Sequence, residues 1–96
     1  MVVHIVMFKF KEENKEANLK LVKERLENLI NEIEPLKSME VGIDFNKSER
    51  AMDLCLYSKF EDKEGLKTYA THPAHLKVVE IIKELTIESK VVDYTL

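Results

Sequence analysis

The chain has 96 residues, 45% of them hydrophobic and 34% charged, with a net charge of −3 at pH 7. That length makes a single domain, residues 1–96, and the balance of apolar and charged residues excludes a disordered chain. The lysines and arginines are scattered and build no basic stripe, so no nucleic-acid partner is expected.

The opening run "MVVHIVMFKF" is β-branched and aromatic and predicts a strand over Val2–Phe10. It has no basic leader and is too short to span a bilayer, so neither an export signal nor a membrane partner is expected. One parity carries Val2, His4, Val6, Phe8 and Phe10; the other carries Val3, Ile5 and Met7 before Lys9. Both faces are apolar, so burial on both sides is expected, with something other than this chain's helices on one of them.

Next, Leu19, Val22, Leu26, Leu29, Ile30 and Ile33 recur at helical spacing, and Pro35 is expected to end that helix. Met39, Val41, Ile43 and Phe45 alternate with polar residues, as a half-buried strand requires. "NKSER" is a polar turn, and "AMDLCLYSKF" is a third strand with Met52, Leu54, Leu56 and Phe60 on one face and Cys55 and Tyr57 on the other. Strands two and three are expected to form an antiparallel hairpin. Cys55 is the single cysteine and is expected to be a buried, inert thiol, which fits a reducing, cytoplasmic location.

Asp62 predicts a helix N-cap, followed by a short helix turning Leu66, Tyr69 and Ala70 inward. Pro73 suits the first position of a further helix, whose buried face is expected to hold Leu76, Val79, Ile82 and Leu85. "SKVVDYTL" is a fourth strand. The order β-α-β-β-α-β, with the second helix broken near Pro73, predicts an α+β, ferredoxin-like fold: a four-stranded antiparallel sheet with helices on one face. The other face is then a bare apolar surface, so a homodimer with its two sheets packed face to face is expected.

The stretch "YATHPAHLK", residues 69–77, concentrates polar groups in this otherwise ordinary pattern. Tyr69 shares the face of Leu66. His75 precedes Val79 by four residues, and His4 lies on the strand parity of the phenylalanines. All three are expected between helix and sheet. There an imidazole can take a proton near neutral pH, and a phenol can hydrogen-bond a carbonyl gaining charge. Each also has a structural explanation: a buried histidine on a backbone carbonyl, or a core tyrosine. His72 is expected at the helix cap. No metal site is expected, because the His72–His75 spacing has no cysteine or carboxylate beside it to complete a ligand set.

"HIVMFKFK" at 4–11, "YATHPAHLK" at 69–77 and the closing "VVDYTL" together resemble the stress-responsive dimeric α/β-barrel (Dabb) family across nearly the whole chain. The resemblance implies the dimeric barrel. By similarity to a plant polyketide cyclase of the family, it also implies a pocket needing no cofactor. His75 would be the base there, Tyr69 would polarise the accepting carbonyl, and His4 would bind substrate. Glu27 stands where that cyclase has a further pocket tyrosine. A carboxylate facing the pocket would disfavour the same aromatic substrate. The expected function is therefore binding of a small hydrophobic carbonyl compound, with cyclase- or lyase-like acid–base activity. The alternative is a non-catalytic, structural or stress-protective oligomer.

Overall fold

A computed structural model describes all 96 residues. Strand β1 (Val2–Phe10) leads to helix α1 (Lys15–Asn28), then to β2 (Leu36–Ile43) and β3 (Leu54–Phe60). Helices α2 (Lys63–Thr71) and α3 (Pro73–Leu85) follow, and β4 (Thr86–Thr95) closes the chain. The four strands form one antiparallel sheet in the order β2-β3-β1-β4, the expected ferredoxin-like arrangement. The shortest dimension is 17 Å, room for a sheet and one layer of helices and nothing more.

Strand parity decides what each face holds. Val2, His4, Val6 and Phe8 sit opposite Phe60, Ser58, Leu56 and Leu54 of β3, all on the helix-covered side. Val2, Phe8, Phe10, Leu54, Leu56 and Phe60 join Leu19, Val22, Leu26, Leu29 and Ile33 in one continuous core. The opposite parity pairs Ile5 with Tyr57 and Val92, and Met7 with Cys55 and Lys90. No helix covers that side. Only 18 of the 96 residues are buried, consistent with the marginal monomer expected at this size.

Met7 is 39% exposed and Ile5 half-buried, so the second face of β1 is open around them in the single chain, the bare sheet face that the pattern implies. Several expectations are corrected. Cys55 lies on that face and is half-buried rather than enclosed. Helix α1 stops at Asn28, a 3-10 turn (Leu29–Asn31) follows, and Ile30 is exposed while Leu29 and Ile33 remain buried. The tighter turn rotates the apolar stripe away from Ile30. Strand β2 begins at Leu36 and ends at Ile43, leaving Phe45 91% exposed in a ten-residue connection rather than on the strand's apolar face.

In α3 the buried residues are Val78 and Ile82, and Leu76 is half-exposed. A run at three-residue intervals drifts around a 3.6-residue helix, so Leu76 falls off the stripe that Ile82 occupies. Ala70 is likewise exposed, one step around α2 from buried Tyr69.

The caps are as the sequence implies. The Asp62 carboxylate accepts from the Gly65 N–H at 2.8 Å, and Pro73 opens α3. His72 caps that second helix, its Nδ1 accepting from the Ala74 N–H at 3.0 Å. Asp62→Ala removes a cap at an exposed position and is expected to cost about 1 kcal/mol in chemical denaturation, with no change of fold.

Candidate functional site

The helix break at His72 sets the site. It lets α2 end and α3 begin within two residues, so the last turn of α2 and the first turn of α3 press on the same part of the sheet. Tyr69, from α2, is 1% exposed. Its ring centroid lies 4.2 Å from that of His75 on α3, 5.1 Å from Phe60 on β3 and 6.2 Å from His4 on β1. The three polar side chains singled out from the sequence are therefore neighbours in space, drawn from three elements.

Tyr69 is packed on every side, yet its hydroxyl has no hydrogen-bond partner in the protein. A buried donor left unpaired costs about 1–3 kcal/mol. Burial also pushes the phenol's pKa well above its ordinary value, so the hydroxyl keeps its proton at all ordinary pH.

The protonation of His75 follows from its partner. Its Nδ1 lies 3.1 Å from the Ala70 carbonyl, which can only accept, so Nδ1 carries the hydrogen. In the neutral ring Nε2 is then the free base. Burial lowers the His75 pKa from the ordinary 6.5; the hydrogen bond to the Ala70 carbonyl opposes it less strongly, and the neighbouring His4 and His72 add smaller lowering effects. The neutral ring dominates at pH 7.

His4 is held from both neighbouring strands. Its Nδ1 bonds the carboxylate of Asp93, directly opposite on β4. Ser58, opposite on β3 and fully buried, donates its hydroxyl to the His4 carbonyl at 2.9 Å. The bond to a carboxylate places the His4 proton on Nδ1 and leaves Nε2 as an acceptor in the neutral ring. Asp93 was not assigned a site role from the sequence. Its signal was available: in the ferredoxin-like order β4 flanks β1, and Asp93 has the parity that faces His4.

Between α3 and the sheet lies a cavity of about 250 Å³, walled by His4, His75, Val6, Phe8, Leu56 and Val78 among others. Both histidines line it. Tyr69 does not form part of the wall but touches the two histidines that do. Lys83, Thr86 and Ser89 line it as well, a group that sequence reasoning passed over. Glu27 does not reach the cavity, and Leu26 lines it instead. The Glu27 carboxylate pairs with Lys23 at 3.0 Å, so the one carboxylate expected to alter the pocket lies outside it. His72 stays at its cap, and no group of three potential metal ligands is assembled.

The profile of the stress responsive A/B barrel domain matches residues 2–96. The chain belongs to that family. Among its relatives is olivetolic acid cyclase of Cannabis sativa, 28% identical over 96 residues that cover 98% of this chain and 95% of the cyclase. A stress-response A/B barrel domain-containing protein of Arabidopsis thaliana is 31% identical over 77 residues, 77% of this chain and 67% of the relative. Among solved structures, a dimeric ferredoxin-like protein from Bacteroides fragilis superposes with a TM-score of 0.91 at 33% identity, covering 99% of this chain and 95% of that one. In this A/B barrel chain no helix is long and apolar enough to cross a membrane.

The unpaired hydroxyl makes a prediction about stability. Tyr69→Phe keeps the ring and deletes the orphan donor, so it is expected to leave the melting temperature unchanged or raise it by several degrees. A fall of several degrees in calorimetry shows that the hydroxyl has a structural partner.

Proposed function

We propose that this A/B barrel protein binds a small hydrophobic carbonyl compound and performs cofactor-free acid–base chemistry on it, of the cyclase or lyase kind. The observation that carries this is the buried, unpartnered hydroxyl of Tyr69, whose ring packs on that of His75 beside a mostly apolar cavity. The acceptor the hydroxyl lacks is the ligand's carbonyl oxygen, reached from the cavity past the His75 ring. Neutral His75 takes a proton through Nε2 from the carbon beside that carbonyl. Tyr69 donates to the oxygen as it gains enolate charge, and the enolate then attacks a second carbonyl or expels a leaving group. His4, fixed by Asp93, orients the ligand. The proton taken up by His75 then passes to the new alkoxide or to the departing group, so the reaction balances with no co-reactant. The similarity to olivetolic acid cyclase over nearly the full length supports the same class of reaction.

The working unit in this proposal is a homodimer through the open sheet face, where Ile5, Met7, Cys55, Tyr57, Val92 and Tyr94 lie together. A bare apolar face on one side of a sheet favours association, and the dimeric relative from Bacteroides fragilis supports it. Cytoplasmic residence is part of the same proposal, supported by the single free thiol.

A second reading has its own support. Tyr69 belongs to the hydrophobic core and stands outside the cavity wall, as expected of a non-catalytic, stress-protective oligomer whose histidines only fix the helix break.

Deuterium exchange at the α-carbons of 2-octanone, followed by NMR, separates the two. The first reading expects exchange above the buffer rate, reduced at least tenfold by Tyr69→Phe and to background by His75→Ala. The rate should fall on acidification with a midpoint below 6.5, because a lowered pKa keeps His75 neutral further into acid. Exchange unaltered by both substitutions removes the assignment.

Val92→Glu, an exposed position beside Ile5, is expected to turn a dimer into a monomer in sedimentation velocity while the circular dichroism spectrum is kept.

A further inference from the structure

The cavity has two unlike ends. One carries His4 and His75. The other carries Lys83, Thr86 and Ser89. His75 and Lys83 are eight residues apart on the single helix α3, which separates them by about 12 Å along its axis. Lys83 is four residues beyond Val79 and so continues the stripe by which α3 walls the cavity. It is the only side chain of fixed charge in that wall. Five ion pairs form in the chain and none includes Lys83, although Glu80, Glu84 and Glu88 are close in sequence. Glu88 is instead paired with Lys90. The Thr86 hydroxyl spends its proton on the Ile82 carbonyl at 2.8 Å, which leaves its oxygen as an acceptor beside the lysine.

An unpaired cation on the rim of a mostly apolar cavity is placed to receive an anion. Building on the pocket proposed above, we propose that Lys83 is a specificity residue. It would select ligands with an apolar body and one anionic group, the anion at the mouth and the reacting carbonyl among the histidines. A volume of about 250 Å³ lies below the usual range for drug-sized ligands, so the body is a short chain or a single ring. The anion is a carboxylate or a phosphate monoester, two groups that a lysine receives through the same ammonium contact.

Binding of octanoate, octyl phosphate and the uncharged octanamide, measured by titration calorimetry at low ionic strength, tests this. Wild type is expected to bind at least one anion several-fold more tightly than octanamide, and the tighter of the two identifies the anion. Lys83→Met is expected to abolish the preference, so that anion and octanamide bind alike, and Lys83→Arg to keep it. Raising the salt concentration should narrow the gap in wild type alone among the wild-type and Lys83→Met proteins. Lys83 is on the surface, so both variants are expected to fold. Equal affinity for anion and amide in wild type, or a preference that survives in Lys83→Met, overturns the role of Lys83 and leaves the pocket standing. Binding of none of the three probes overturns both the pocket and the role of Lys83.

Discussion

Tyr69 joins α2 to β3 through Phe60 and to α3 through His75. Its aromatic surface is worth several times the cost of one unpaired hydroxyl, so the core tolerates a polar atom with no partner. Burial lowers the pKa of the neighbouring His75 and holds that ring neutral. The chain break at His72 and Pro73 is what allows the contact, since a continuous helix could not aim Tyr69 and His75 at each other across a five-residue bond to Ala70.

The second constraint is the single layer of helices. With one face of the sheet covered, neighbouring residues of β1 and β4 have opposite roles. His4 and Asp93 face the helices, while Ile5 and Val92 face away. A slip of one residue in the pairing of β4 would exchange Asp93 for an apolar neighbour and dismantle both arrangements. Strand β4 has no buried residue, so its position depends on its ladder with β1 more than on packing. The proposed dimer face and the proposed site therefore share a strand and are separated by the thickness of the sheet.

Much of this was legible in the chain. Period-two and period-3.6 patterns placed the strands and helices in order, though not the 3-10 turn or the starts of β3 at Leu54 and β4 at Thr86, and Asp62, His72 and Pro73 marked the helix starts, because capping depends on a few neighbouring residues. Tyr69, His75 and His4 could be set on inward faces by counting. The errors fell where one residue's rotation matters: Leu76, Ile30 and Ala70 were assigned inward and proved exposed, since helical drift and a terminal 3-10 turn shift a stripe by a fraction of a turn.

Sequence alone determined the element order, the ferredoxin-like fold, the bare sheet face and the identity of the three inward polar groups, all consequences of local periodicity and turn chemistry. Tertiary structure decided the rest. It paired His4 with Asp93, left the Tyr69 hydroxyl without an acceptor, turned Glu27 out of the cavity and set Lys83 at its rim. Those outcomes depend on the register that sets His4 opposite Asp93, 89 residues away, and on the angle at which α3 crosses the sheet, quantities that no local pattern carries.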